Sequence, residues 1–416
     1  MKSFESFKSY KSWYPWLVVA LLWVVAFLNY LDRILITSMR DPLVADFSLT
    51  DAQFGLLTSV FLWAYGILSP FGGFFADKYG RKKMIVLSAL VWSAITFWTG
   101  IARSFPEMIV ARTLMGISEA AYIPAGLALI TDYHRSRTRS LATGIHMSGL
   151  YAGLAMGGIG GFIAEWWGWR SGFQFFGIFG IVYAFFLIFL LKDASGEKEA
   201  VIRPPKEKAH ISLWESARLL FGMRSYNIIL VFFTVNGMVN WLVYAWLPTF
   251  LKEHFHLNLG EAGLSATGYI QSAAFVGVLA GGLLADRWAR HYYKARLWVI
   301  IIGFTIGMPF LFLIPTTQLF SMAILGMLVY GVAKGFNDSN LMPVLCQVID
   351  NRYLATGYGF LNFLSTIVGG VMVYAVGALK DANISLSVAY QVMAVVMLIA
   401  TWSLIFVKLK KESLSS

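Results

Sequence analysis

Apolar runs of about 20 residues, the length that crosses a bilayer as a helix, recur from one end of the chain to the other. They predict twelve helices, at roughly 15 to 38, 51 to 76, 84 to 102, 106 to 132, 140 to 164, 172 to 191, 226 to 250, 262 to 286, 296 to 314, 318 to 345, 353 to 379 and 386 to 407. The longest polar interruption, Lys192 to Arg224, carries Glu197-Lys198-Glu199, Pro204-Pro205 and Lys206-Glu207-Lys208. The pattern therefore divides the chain into an N-terminal half over 1–191, a cytoplasmic linker over 192–224 and a C-terminal half over 225–416. The expected fold class is an all-α membrane protein with twelve transmembrane helices in two six-helix halves.

The halves echo each other in residues as well as in hydropathy. Gly73-Phe-Phe-Ala76-Asp77-Lys78 returns as Gly282-Leu-Leu-Ala285-Asp286-Arg287, and Arg139-Ser-Leu-Ala142-Thr143-Gly144 returns as Arg352-Tyr-Leu-Ala355-Thr356-Gly357. The offsets are 209 and 213 residues. Two motifs repeated at nearly one spacing imply parallel structural repeats, an arrangement that places a transport site at the midplane between them.

Composition agrees: 58% of residues are hydrophobic and 13% charged, against about a quarter charged in soluble domains. The formal charge of +11 does not call for a nucleic acid, because it sorts by membrane side. Segments on the side of the N-terminus hold 25 of the 33 Lys and Arg, and the opposite loops hold five, Arg40, Arg103, Arg170, Lys252 and Lys380. This asymmetry puts both termini in the cytoplasm. The first helix is too long for a signal-peptide core and has no small-residue cleavage site after it, so it is expected to stay in the mature protein.

The other three cations, Arg33, Arg112 and Lys334, fall inside predicted helices. A charge at bilayer depth costs from about 2.5 to more than 10 kcal/mol, so it normally faces a bundle interior or a water-filled cavity. Asn29-Tyr30-Leu31-Asp32-Arg33 is the centre of the expected function. Arg112 and Glu119 are seven apart in the fourth helix, two turns along one face, and can share a cavity with Asp32 and Arg33. Arginine keeps its charge and binds a carboxylate in a fork, whereas a desolvated acid can take up a proton near neutrality. The division of labour follows: arginines for an anionic substrate, Asp32 and Glu119 for protons. The same four charges would also serve merely to hold the first and fourth helices together.

Gly73-Phe74-Phe75-Ala76-Asp77-Lys78-Tyr79-Gly80-Arg81-Lys82-Lys83 matches the loop signature of the major facilitator superfamily. The resemblance implies that fold, with pseudo-symmetric halves, and a gating role for Asp77 and Arg81. The second copy keeps Asp286 and Arg287 in that role but has Ala289 where the signature has its later glycine. Asn29-Tyr30-x-Asp32-Arg33, Gly116-x-x-Glu119-Ala120, Gly168-Trp169-Arg170 and Trp246-Leu247-Pro248-Thr249-Phe250-Leu251 resemble the anion:cation symporter branch, which includes carriers of hexuronates and sialin-type carriers of organic anions. That resemblance implies proton coupling at Asp32 and Glu119, with Arg33 and Arg112 engaging the substrate or regulating the acids. Spinster-like carriers of lysolipids share the first two elements and are the alternative; the Trp-Leu-Pro-Thr stretch favours the anion branch. The glycines of the fifth helix resemble an antiporter motif, but Gly158 stands where that motif has proline, which favours symport.

Other polar and aromatic residues within apolar runs are candidate cavity residues. Asn236, Asn240, Gln271 and Asn362 are single amides that can read hydroxyls; Tyr30, Tyr65, Tyr122, Trp241 and Tyr244 are possible cavity aromatics; His146 is a possible proton-relay residue. Lys334 and Asp338, four apart and flanked by Asn337 and Asn340, form a pair that either neutralises itself or meets substrate. Neither the six histidines nor the lone Cys346 forms a metal-ligand pattern, and no nucleophile with a base or phosphate-binding loop marks an enzyme. The expected protein is thus a proton-coupled symporter of the bacterial inner membrane, importing a small organic anion such as a hexuronate, aldonate or sialic acid. The expected partners are substrate, protons and the bilayer, with the protein a monomer and no cofactor.

Overall fold

A computed structural model of the chain describes residues 13–134, 138–193 and 213–410, apart from the side chains of Gly73, Asp77, Leu213, Trp214, Asn351 and Ala355. Twelve spans run Tyr14–Leu35, Asp51–Tyr79, Arg81–Thr99, Phe105–Tyr133, Arg139–Trp167, Trp169–Leu190, Arg224–Phe255, Leu259–Ala289, Ala295–Leu313, Phe320–Val348, Leu354–Asp381 and Leu386–Ser403. Eleven of these are long and apolar enough to cross a bilayer by those criteria alone. The third falls short because it opens on Arg81-Lys82-Lys83 and carries Ser88, Ser93, Thr96 and Thr99 on its buried side. Several helices run past the apolar runs, as at the second span, which continues to Tyr79; its start at Asp51, where the sequence puts it, is fixed by the Thr50 and Gln53 capping box, which satisfies N–H groups that the helix itself leaves open. Of the linker, 194–212 lie outside the described residues, and a short helix, Leu213–Gly222, follows them.

Within the N-terminal half the first span packs on the fifth, the second on the fourth and the third on the sixth; in the C-terminal half the seventh packs on the eleventh and the tenth on the eighth and ninth. Between halves, the second span packs on the eleventh and the fifth on the eighth. Replacing each member of one pair by its counterpart six spans away in the other half (second by eighth, eleventh by fifth) gives the other pair, so the repeat seen in the sequence is also the symmetry of the interface. We call the face where Trp13 and Lys410 lie the near face and the opposite one the far face. The halves meet toward the far face: Ser59 Oγ donates to the Gly370 carbonyl at 2.7 Å, Trp63 Nε1 to the Ile367 carbonyl at 3.1 Å and Thr267 Oγ1 to the Ala155 carbonyl at 2.8 Å.

The fifth span is helical to Met156, passes through a 3-10 turn at Gly157–Ile159 and resumes at Gly160. At that turn Gly158 and Gly263 of the eighth span touch backbone to backbone, and a methyl group on Gly158 would overlap the Gly263 carbonyl. This is tight packing of small residues between spans. Gly158→Ala is accordingly expected to prevent full closure of the far face, measured as a longer distance between spin labels on the fifth and eighth spans.

Candidate functional site

One cavity of about 860 Å³ lies between the halves. Its walls reach Ser140 and Leu141 at the start of the fifth span, Met342 near the end of the tenth and Tyr358 at the start of the eleventh, so it opens to the near face. Its far end is Tyr30, Arg33 and Ile34 of the first span. A helical run from Pro15 brings Arg33 to bilayer depth, and the side chain is 3% exposed.

Arg33 is held on three sides. Its Nε donates to Glu119 Oε2 at 2.6 Å, and its guanidinium lies over the rings of Tyr30 and Tyr65 at 4.5 and 4.4 Å from their centroids. Aromatic faces attract a desolvated cation, and the Glu119 carboxylate supplies the opposite charge that a buried guanidinium requires. The Nη2 of Arg33 is buried and has no hydrogen-bond partner among the described residues. A guanidinium already oriented at the end of a cavity, with Nε its one hydrogen-bonded nitrogen among the described residues, is suited to receive a carboxylate.

The other members of the charged group stand behind the wall. Asp32 faces the third span, where Thr96 Oγ1 donates to its Oδ2 at 3.2 Å while Oδ1 has no partner. Arg112 is wholly buried, with Nε donating to the Leu57 carbonyl at 3.3 Å and its guanidinium 5.0 Å from the Phe61 ring. The two acids and two arginines are therefore a layered set in which Arg33 alone lines the cavity. Thr96, which sequence reasoning did not single out, belongs to the set; its only signal was a hydroxyl on the buried side of the least apolar span.

Across the cavity, Lys334 Nζ donates to Asp338 Oδ2 at 2.6 Å. Tyr151 of the opposite half donates its hydroxyl to the same oxygen at 2.9 Å, and Lys334 sits 5.2 Å from the Tyr151 ring centroid. Asn236, Asn240, Trp241, Tyr244 and Asn362 also line the cavity. Asn240 Oδ1 accepts from Tyr330 at 3.1 Å, and Asn236 Oδ1 is buried without a partner. Tyr122, His146, Gln271 and Asn337 are buried away from it: Tyr122 donates to the Leu22 carbonyl at 2.8 Å and packs on His146, and Asn337 donates to Asp338 at 3.3 Å. Tyr151 could have been found from spacing. Gly149 and Gly153 lie one turn apart against Trp23 and Phe27 of the first span, and a residue two positions away projects from the opposite side of the helix.

The far face is sealed by charges contributed by both halves. Arg40, in the short helix Arg40–Phe47, bonds Asp51 and lies 3.9 Å from Glu253. Lys380 lies 3.2 Å from Asp51 and 3.0 Å from Glu253, and Lys252 pairs with Asp41. The sequence-predicted gating residues are elsewhere. Arg81 donates to the Ala128 carbonyl and pairs with Asp132, Asp286 pairs with Arg296 at 3.1 Å, and Arg287 is exposed, all at the near face, while the Asp77 side chain lies outside the described residues.

Burial pushes the carboxyl of Asp41 up, but its hydrogen bond to Lys252 and the charges of Lys252 and Arg40 outweigh it and hold the group below the usual carboxylate range. A lowered carboxylate stabilises the state in which it is paired at pH above its free value and loses that contribution as pH falls. Far-face closure is expected to be constant down to about pH 5 and to weaken below about pH 4, read as spin-label distances between the second and eleventh spans.

Parallel repeats, a cavity between six-helix halves and an interface of paired spans describe a single known architecture, and the model of the Major Facilitator Superfamily matches residues 22–373. The chain belongs to the Major Facilitator Superfamily. As a member of that superfamily it is an integral membrane transporter and not an enzyme. It is 26% identical over 387 residues to the probable L-galactonate transporter of Escherichia coli (strain K12), covering 89% of this chain and 84% of that one. It is 23% identical over 391 residues to the probable galactarate/D-glucarate transporter GarP of the same strain, covering 87% of each. A solved bacterial homolog of the human lysosomal transporter Spinster, in an inward-facing and occupied conformation, superposes with a TM-score of 0.76 at 21% identity, over 95% of both chains; this likeness is one of fold.

Proposed function

We propose that the protein imports a small organic anion of the sugar-acid class together with protons, alternating between the observed arrangement and one open at the far face. The observation that carries this reading is Arg33, a guanidinium fixed by Glu119, Tyr30 and Tyr65 at the end of the cavity. Its relatives named for galactonate and galactarate transport support the substrate class. The amides of Asn236, Asn240 and Asn362 line the same cavity and suit a polyhydroxylated chain. The basic near face is assigned to the cytoplasm by the positive-inside rule, so the observed cavity is the release state in a bacterial inner membrane.

Asp32 and Glu119 are the proton carriers. Substrate carboxylate and the Glu119 carboxylate compete for one guanidinium. A proton on Glu119 frees Arg33 for the anion, and loss of that proton to the cytoplasm returns Arg33 to Glu119 and expels the substrate. Asp32, bonded only to a hydroxyl, is neutral at little cost when protonated.

Uptake of labelled galactonate or a hexuronate into proteoliposomes tests the reading. An inward proton gradient is expected to drive accumulation, and collapsing it with a protonophore to abolish that accumulation. Binding of a lysolipid in place of any sugar acid would overturn the substrate class, and accumulation insensitive to the gradient would overturn the coupling.

A further inference from the structure

Two contacts at the far face repeat each other under the symmetry of the halves. Asp381, the last residue of the eleventh span, accepts from the backbone N–H groups of Asp51 and Ala52 at 2.7 and 2.9 Å. Glu165, in the last turn before the fifth span ends at Trp167, accepts from the backbone N–H of Leu259 at 2.5 Å. Asp51 opens the second span and Leu259 opens the eighth. In both helices the N-cap side chain, Thr50 or Asn258, takes the N–H three residues on, at Gln53 or Glu261. The first N–H groups are left for a carboxylate from the other half. The caps and the capped residues are each 208 positions apart, close to the offset of the repeated motifs.

The electrostatics give these contacts a direction. A carboxylate is stabilised at the positive N-terminal end of a helix and destabilised at the negative C-terminal end. Asp381 and Glu165 each sit at the C-terminal end of their own span and at the N-terminal end of a span in the opposite half. Opening the far face returns both to the unfavourable end and leaves the first N–H groups of two helices without a protein acceptor.

We propose that Asp381 and Glu165 are a symmetric pair of latches that hold the far face shut and set the balance between the two conformations of the transport cycle. The proposal does not depend on which anion is carried or on proton coupling. It differs from the ring of Arg40, Asp41, Asp51, Lys252, Glu253 and Lys380 in that each latch binds backbone, so neighbouring side chains can change without releasing it.

Ser38 supplies a reporter. It is 1% exposed and packs at the seam beside Gly263, and becomes accessible only if the far face opens. In purified protein with Cys346→Ser and Ser38→Cys, the alkylation rate with a maleimide is expected to rise about tenfold when Asp381→Ala and Glu165→Ala are combined, and by less for either alone. Asp381→Glu, which keeps a carboxylate, is expected to stay near the parent rate. A second reporter, Ser93→Cys, is buried between the third and sixth spans and is expected to remain protected throughout. An unchanged rate at position 38 in the double variant would overturn the proposal. So would an equal rise at both reporters, which would mean general loosening rather than opening of one face.

Discussion

Arg33→Lys is expected to lower affinity for the anion by about ten- to a hundredfold and to lower uptake in the same proportion at substrate concentrations below the parent's half-saturation. The charge survives this change, but the fork does not. Arg33 uses Nε for Glu119, and a lysine ammonium is a single point that cannot offer the planar fork of donors to whichever carboxylate, that of Glu119 or of the substrate, holds the site. Losing one hydrogen bond between charged groups costs about 1.5 to 3 kcal/mol, which is the stated range in affinity. Lysine also forfeits the planar stacking on Tyr30 and Tyr65. Arg33→Ala would be less informative, because removing one partner of a buried pair costs about 3 to 5 kcal/mol of stability. Isothermal titration of the purified lysine variant with galactonate is the measurement. An affinity equal to the parent's would remove Arg33 from the substrate site.

Asp32→Asn combined with Glu119→Gln is expected to eliminate accumulation against a gradient while leaving exchange of labelled for unlabelled substrate across the membrane. Each coupled proton contributes about a tenfold accumulation ratio per unit of pH difference, so loss of both carriers brings the ratio to unity in the absence of a membrane potential. After Glu119→Gln the side chain can still accept from Arg33 through its amide oxygen, which preserves the shape of the site while removing the competing negative charge. Concentrative uptake by the double variant, measured in proteoliposomes with an imposed pH difference, would place the protons on other residues. Thr96→Val is a useful companion, since it removes the hydroxyl that bonds Asp32 without touching the cavity.

The architecture was legible because hydropathy is a local property. A run of 20 apolar residues must span or be buried wherever it falls, so the twelve spans, and the break between Leu190 and Arg224, follow from composition along the line. Some boundaries moved outward, as at the start of Leu259–Ala289, because a capping residue outside the apolar run, here Asn258, decides where the helix starts. The charged centre was legible for a similar reason: Asp32, Arg33, Arg112 and Glu119 are too costly in an apolar helix to lack partners. Their layering was not, since a seven-residue spacing puts Arg112 and Glu119 on one face without saying whether that face meets water or the third span. The structure puts Glu119 against Arg33 and turns Arg112 to the Leu57 carbonyl.

Closure was the least legible feature. The residues that join the halves at the far face are charges in short loops and helix ends, such as Arg40, Asp51, Glu253 and Lys380, which in sequence look like ordinary solvated turns. The sequence by itself determined the number of spans, the repeat of the two halves and the need for a charged site near Arg33, because each follows from the cost of putting polar groups in hydrocarbon. Only the tertiary structure decided that Arg33 alone of the four charges meets the cavity, that Tyr151 shares an oxygen of Asp338 with Lys334, and that Asp381 and Glu165 cap helices of the opposite half. The contacts of Tyr151, Asp381 and Glu165 join residues 94 to 330 positions apart; they are set by how rigid helices pack, and no local pattern encodes them.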